Sequence, residues 1–303
     1  MADNPTSDRF APVVPGIRPV KLPGIQPVKL PRVQPVKLPG RRSSKIDIST
    51  AHIARVYDFW LGGKDNYTAD RAAAAQVMAA YPNILASVRA QRAFLGRAVR
   101  YLTADAGIRQ FLDIGTGLPS ADNTHEIAQR VAPQSRIVYV DNDPIVLAHA
   151  RALLASCPEG ASDYIDADLR DTTKILEAAA ASLSFDKPVA FLLVGVLHCL
   201  PDDNDPGGIV AQLMAAAASG SYLVVAHPAK DIHTAQITNA AARLNHAMSE
   251  QVTLRTRAEV CRFFAGLDLL EPGVVQLHRW RAGEESPVTA ADLANYGGVG
   301  RKP

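Results

Sequence analysis

The segment with the clearest chemical potential runs from Phe111 to Ser120, where an apolar run ends in a turn that contains two glycines. Gly115 and Gly117 would let the backbone approach a ligand closely, and a helix that begins near Asp122 would direct backbone amides at that ligand. Asp113 lies inside the apolar run, where its carboxylate could accept hydrogen bonds from an ammonium group. The pattern predicts a ligand-binding loop at the carboxyl end of a strand.

A second acid follows at a spacing that suits a nucleoside. The apolar run 136–140 ends in Asp141, twenty-four residues beyond Gly117. An acid at the tip of the second strand can accept hydrogen bonds from both hydroxyls of a ribose. A dinucleotide fingerprint has a third glycine where this chain has Ser120. The loop and its acids therefore indicate a ligand with an adenosine, a cationic centre and an amino acid end, and S-adenosylmethionine has all of these.

These residues need a scaffold of parallel strands, and the chain alternates between short apolar runs and helical stretches accordingly. Candidate strands are 110–114, 136–141, 163–167, 189–195 and 221–227, with helices near 122–131, 144–155, 171–182 and 207–219. The alternation predicts an α/β protein with a Rossmann-like doubly wound sheet. Two later runs, 267–271 and 274–280, are separated by the turn signal Pro272-Gly273. We therefore expect seven strands, closed by a terminal antiparallel hairpin.

The region ahead of the first strand reads as helical. Ser49-Thr50 could cap a first helix that runs through Ile53 to Trp60, and Gly62-Gly63 would end it. Apolar spacing predicts two further helices, from Thr68 to Ala80 and from Ile84 to Leu102. The predicted organisation is an arm over residues 1–45, an N-terminal helical lid over 46–109 and a ligand-binding Rossmann-like domain over 110–303.

The arm has a composition of its own. Through Lys45 it holds nine Lys or Arg against two Asp, a charge of +7, whereas the whole chain of 303 residues is +2 and the remainder is therefore −5. An eight-residue unit occurs three times, at 16–23, 24–31 and 32–39, with proline at every fourth position. Such spacing favours an extended, disordered tail. It serves either as a linker without a partner or as a docking segment for a protein partner.

Composition excludes several classes of protein. Three cysteines, Cys157, Cys199 and Cys261, lie far apart and indicate neither a disulfide framework nor a zinc site, and the histidines share no metal-ligand spacing. The first ten residues have no apolar signal-peptide core, and no run is long enough to span a membrane. We expect a soluble, cytoplasmic protein. Its acidic body also disfavours a nucleic-acid partner.

Several motifs together resemble class I S-adenosylmethionine-dependent methyltransferases. Phe111 to Gly117 is similar to their first motif, 140–144 to their ribose-binding turn and 166–168 to their acidic third-strand motif. More narrowly, 55–67, 92–95 and 110–123 resemble an actinobacterial S-adenosyl methyltransferase family formerly listed as a domain of unknown function, over about residues 46–280. The resemblance implies the fold and S-adenosylmethionine as cofactor.

The resemblance also implies further cofactor residues. Asn142 belongs to the ribose-binding turn, and Asp168 would meet the adenine amino group, although it could instead cap the helix near Asp171. Tyr57, Lys64 and Asn66 would face the cofactor from the lid. The alternative for this last segment is a helix cap with a solvated lysine. Pro119 departs from the usual small residue in the glycine loop, and Cys199 stands where many small-molecule methyltransferases have a second histidine.

Two histidines are candidates for catalysis. His198 ends the fourth predicted strand and His227 the fifth, so both should face the crevice and could act as general base. A packed or solvent-facing histidine fits the sequence equally well. The leading hypothesis is a methyltransferase that uses S-adenosylmethionine and a small-molecule acceptor. The alternatives are an NAD-dependent oxidoreductase and a noncatalytic S-adenosylmethionine-binding regulatory protein.

Overall fold

A computed structural model of the chain describes residues 47–119, 122–153, 156–282 and 292–303. Strands and helices alternate along it. The strands are β1 (Gln110–Ile114), β2 (Arg136–Asp141), β3 (Ala161–Asp166), β4 (Ala190–Val194), β5 (Tyr222–Pro228), β6 (Asp268–Leu269), β7 (Val275–Gln276) and β8 (Asn295–Arg301). The helices are α1 (Ile53–Trp60), α2 (Thr68–Ala80), α3 (Ile84–Ala104), α4 (Thr124–Val131), α5 (Pro144–Leu153), α6 (Thr172–Ala179), α7 (Pro206–Ala216), α8 (Thr234–Ala247) and α9 (Arg257–Arg262).

The sheet has the order β3-β2-β1-β4-β5-β8-β6, and β7 also pairs with β8. Strands β1 to β5 are parallel, and β8 runs antiparallel beside β5. The strand order reverses between β1 and β4, which is the switch point where open α/β sheets bind ligands at the carboxyl ends of their strands. The predicted doubly wound α/β sheet is confirmed.

The end of the sheet differs from the predicted hairpin. The runs 267–271 and 274–280 contribute the two-residue strands β6 and β7, and each pairs with β8 instead of closing a hairpin with the other. The described sheet thus has eight strands instead of seven. β8 was missed because its glycine-rich sequence lacks an apolar pattern. A Cβ at Gly297 would lie 2.3 Å from Leu277 Cδ2, so close packing against β8 depends on that glycine.

The central strands β1, β4 and β5 are buried on both faces, as the strands of parallel sheets usually are. Phe111 and Leu112 of β1 point to opposite faces and are both fully buried. One face packs against α3 and α4, where the fully buried Trp280 meets Phe94 edge-on with 5.3 Å between ring centroids. This packing fixes the carboxyl ends of β1, β2 and β4 relative to one another.

A buried ion pair joins α1 to α2 ahead of the sheet. Arg55 Nε lies 3.1 Å from both carboxylate oxygens of Asp70, which is fully buried. Asp70 also accepts hydrogen bonds from the backbone amides of His52 and Tyr67. Lys45–Pro303 form one compact unit. The boundary between lid and Rossmann-like domain stays a prediction, and the predicted arm over 1–45 lies outside the described residues.

Within the described part of the chain, no helix combines the length and apolar character needed to cross a membrane.

Candidate functional site

A cavity of about 610 Å³ opens at the carboxyl ends of β1, β2 and β4. Residues 52–63 of the α1 region, residues 91–95 of α3 and residues 249–251 after α8 line its other sides. This volume is within the range of small-molecule sites. The cavity therefore lies where the sequence predicted a ligand, with the N-terminal helices contributing to its wall.

The predicted glycine loop forms one side of the cavity. Gly115 and Gly117 have left-handed backbone conformations, with φ of +72° and +65°. A Cβ at Gly115 would lie 2.4 Å from Val196 Cγ2, whereas a Cβ at Gly117 would meet open space. Gly117 donates its backbone N–H to Asp141 Oδ2 at 2.9 Å. The structure thus brings the loop and the second-strand acid together.

Asp141 holds two backbone segments with one carboxylate. Besides Gly117, the amide of Asp143 donates to Asp141 Oδ1 at 2.9 Å. Burial raises the pKa of Asp141, and these amide hydrogen bonds act in the opposite direction. The exposed Asn142 also lines the cavity between the two acids.

Asp113 lies deeper, within β1. Its Oδ2 accepts a hydrogen bond of 2.6 Å from Thr124 Oγ1 at the start of α4. Burial raises the pKa of Asp113 to about 6, although Thr124 and the nearby Arg92 guanidinium favour the charged form. Asp113 and Arg92 both line the cavity. Together they place a carboxylate and a guanidinium near the glycine loop.

Asp168 lines the cavity on the β3 side and is held by Arg170. Its Oδ1 accepts hydrogen bonds from the backbone amide and Nε of Arg170, at 2.9 and 2.8 Å. These bonds hold the pKa of Asp168 below its ordinary value. The N-cap of α6 is Asp171, which accepts from the amide of Lys174 at 3.1 Å. The capping alternative for Asp168 is therefore wrong.

The three residues predicted from the lid have different positions. Tyr57 lines the cavity, whereas Lys64 is exposed and lies outside the wall formed by the described residues. Asn66 is also outside that wall, and it donates hydrogen bonds to Asp58 Oδ2 and Gly63 O at 2.7 and 3.1 Å. Asn66 thus holds the turn after α1, and the cavity-lining carboxylate in this turn is Asp58.

The structure corrects the expectation that His198 and His227 face the crevice. Both are buried, and neither belongs to the cavity wall that the described residues form. His227 donates from Nδ1 to Pro228 O at 2.9 Å, so its Nε2 accepts from Arg255 Nη1 at 2.9 Å. Arg255 also donates to the carbonyl groups of Leu197 and Leu200. Arg255 thus occupies the ring nitrogen of His227 that a general base would need for accepting a proton.

Burial of these histidines predicts acid-sensitive folding. Burial and Arg255 lower the pKa of His198 to about 4, and burial places that of His227 well below its ordinary value. The unfolded chain gains these protons near pH 6.5, so the stabilisation is complete above that pH and declines as the pH falls toward 4. Urea unfolding should show a loss that steepens below pH 6.5 and amounts to about 2 kcal/mol between pH 7 and pH 5 for each histidine.

A matched pair of variants checks this assignment. His198→Asn should reduce the pH dependence of the unfolding free energy, and His246→Asn, at an exposed position on α8, should leave it unchanged. If the unfolding free energy depends on pH equally in both variants, His198 is not a source of the acid sensitivity.

Several cavity residues carried no sequence signal for a ligand. They come from helices and loops far apart in the chain: His52, Gln91, Arg170 and Glu250. His52 Nδ1 lies 3.0 Å from Asp143 Oδ2. In sequence they are isolated polar residues, and tertiary packing alone brings them together.

A profile described as S-adenosyl methyltransferase matches residues 39–303. The chain belongs to the S-adenosyl methyltransferase family. This methyltransferase is 43% identical to a DUF574 family protein from Streptomyces avermitilis, with 86% of this chain and 100% of that chain covered and a TM-score of 0.83. It is 42% identical to a proposed methyltransferase from Thermobifida fusca, covering 85% and 97% of the two chains with a TM-score of 0.78. No curated protein matches the chain.

Family membership makes the protein an S-adenosylmethionine-dependent methyltransferase, as the sequence predicted. The cavity of this methyltransferase fits the cofactor. It has the volume of a small-molecule site, a glycine at position 117 whose missing Cβ leaves open space, and carboxylates at the ends of neighbouring strands. Among the described side chains, no cluster of His, Cys, Asp and Glu could hold a metal ion.

Proposed function

We propose that the enzyme transfers a methyl group to a small-molecule acceptor inside the cavity described above. The observation that carries this proposal is the shape of the site. Strand ends, α1, α3 and residues 249–251 line one cavity of about 610 Å³. A cavity of this kind accommodates a compact ligand beside a nucleoside, whereas a macromolecular acceptor needs an open surface.

The strand ends would hold the cofactor. Gly115 and Gly117 allow close approach of the backbone, and Asp141 would accept hydrogen bonds from the ribose hydroxyls while it orients the Gly117 amide. Asn142 and Asp168 are proposed on the adenosine side. Asp113 would hold the ammonium group. This division of roles assigns each carboxylate to a different polar group of one ligand.

The lid side would hold the acceptor and exclude water. When bound, S-adenosylmethionine supplies the methyl group on a sulfonium centre. Tyr57 lines this side, and burial raises its pKa, so it remains a neutral hydrogen-bonding group. His198 and His227 have structural contacts instead of access to the cavity. Alignment of the acceptor and desolvation would therefore contribute most of the acceleration.

Two measurements test the proposal together. Isothermal titration should show saturable binding of S-adenosylhomocysteine, and labelled S-adenosylmethionine incubated with an actinobacterial cell extract should transfer label to the small-molecule fraction. Label found in protein or nucleic acid alone would contradict the small-molecule acceptor. Binding without transfer to any fraction would favour the noncatalytic regulatory alternative.

We also propose that the reaction takes place in the cytoplasm. The three cysteines are free thiols in the structure, which suits a reducing compartment.

A further inference from the structure

Gln91 presents a hydrogen-bond acceptor to the cavity without using it. The side chain is 6% exposed and lines the cavity from α3. Its Oε1 is buried and has no hydrogen-bond partner among the residues that the structure describes. Buried side-chain oxygens in proteins nearly always have a partner, because leaving one unpaired costs free energy. A donor supplied by a ligand would satisfy this oxygen.

The carboxamide lies between the backbone of Gly195 and the side chain of Tyr57. Gly195, just after β4, has φ of +81°, and a Cβ there would lie 2.3 Å from Gln91 Nε2. On the other side, hydrogen bonding from Gln91 lowers the pKa of Tyr57 against the larger, opposite effect of burial. The glutamine therefore reaches the cavity because position 195 lacks a side chain. Its oxygen lies where α1, α3 and the end of β4 meet.

The charge of the wall favours a cationic donor. Among the described lining residues, five carboxylates face two guanidinium groups. These residues are Asp58, Asp113, Asp141, Asp168 and Glu250 on one side, and Arg92 and Arg170 on the other. An excess of carboxylates in a partly desolvated cavity attracts cations and repels anions. An N–H donor on a positively charged nitrogen fits both the unpaired oxygen and this field.

We infer that Gln91 Oε1 accepts a hydrogen bond from an ammonium or amine nitrogen of a bound ligand. The inference rests on the proposed function. Such a nitrogen has two sources: the amino acid end of the cofactor, and an amine that serves as methyl acceptor. Either source makes Gln91 a binding residue, and the two differ in which ligand loses affinity when the oxygen is removed.

The first experiment compares two ligands that differ in the amino acid end. S-adenosylhomocysteine carries it, and 5′-methylthioadenosine does not. If Gln91 binds the cofactor, Gln91→Leu should weaken S-adenosylhomocysteine about tenfold or more in isothermal titration and leave 5′-methylthioadenosine unchanged. Gln91→Glu, which keeps an acceptor oxygen, should retain the affinity. Gln76→Leu, at an exposed position on α2, is the matched control.

The second experiment probes the acceptor side. Ligand-detected NMR on protein saturated with S-adenosylhomocysteine measures binding of n-butylamine, with n-butanol and butyrate as controls of equal chain length. If Gln91 binds an acceptor amine, n-butylamine should bind more tightly than either control. Its affinity should fall about tenfold in Gln91→Leu and persist in Gln91→Glu.

The outcomes separate this inference from the proposed function. The inference is supported if Gln91→Leu loses affinity for S-adenosylhomocysteine or for n-butylamine while Gln91→Glu retains it. The ligand that loses affinity identifies the source of the nitrogen. If Gln91→Leu binds both S-adenosylhomocysteine and n-butylamine with wild-type affinity, the inference is wrong. It is also wrong if Gln91→Leu and Gln91→Glu lose the same affinity. If Gln91→Leu does not fold, Gln91→Met replaces it. Failure of the wild-type protein to bind either adenosine ligand would instead contradict the proposed cofactor site.

Discussion

Asp141→Ala is expected to weaken binding of S-adenosylhomocysteine by at least about 100-fold. The carboxylate would accept hydrogen bonds from two ribose hydroxyls, and bonds to a charged group contribute about 1.5–3 kcal/mol each. The same carboxylate accepts the Gly117 amide, so its removal also frees the glycine loop. Isothermal titration of the variant against the wild-type protein measures the loss directly.

Folding must be controlled in this experiment, because Asp141 is buried and holds two backbone amides. Asp186→Ala is the matched control: it removes an exposed carboxylate outside the cavity wall that the described residues form, and it should leave the affinity unchanged. Circular dichroism and thermal unfolding show whether each variant remains folded. A folded Asp141→Ala protein with wild-type affinity would exclude Asp141 from the ribose site.

The sheet was largely predictable from the sequence, and its far edge was not. β4 and β5 are buried on both faces and therefore occur as nearly continuous apolar runs such as 190–194. β8 lies between β5 and the short edge strand β6 and is almost fully buried, yet three of its seven residues are glycine. Its pairing depends on close approach of neighbouring side chains to those glycines, and no local pattern records such an approach.

The candidate site divides in the same way. Gly115, Gly117 and Asp141 were found because turn geometry and strand spacing are local properties of the chain. Gln91 and Glu250 were not, because each is one polar residue in a helix or loop whose relation to the cavity depends on tertiary packing. Local sequence patterns therefore predict which end of the sheet binds a ligand. They do not identify the cavity residues that helices and later loops contribute.

The histidines illustrate a limit of strand-end reasoning. Residues at the carboxyl end of a parallel strand lie at the ligand-binding edge, but their side chains alternate between the two faces of the sheet. His227 turns toward Arg255, and that arginine comes from a segment without a recognisable motif. The sequence predicts that His227 lies at the ligand-binding edge of the sheet. Only the folded structure shows that its imidazole contacts Arg255.

Cofactor affinity should fall when the pH is lowered through 6, and Asp113 is the reason. Burial raises the pKa of Asp113 to about 6, so its carboxylate is charged at pH 7 and mostly protonated at pH 5. A protonated Asp113 loses its attraction for the ammonium group of the ligand. Affinity for S-adenosylhomocysteine should therefore decrease about tenfold between pH 7 and pH 5.

A variant and a second ligand isolate this effect. Asp113→Asn should bind S-adenosylhomocysteine about tenfold or more weakly at pH 7 and show little further loss at pH 5, because it has no carboxylate to titrate. Binding of 5′-methylthioadenosine, which lacks the ammonium group, should depend less on pH in the wild-type protein. Binding is a better readout than unfolding here, because His198 and His227 change stability over the same pH range. Equal pH dependence in the wild-type and Asp113→Asn proteins would show that the ammonium group is held elsewhere in the cavity.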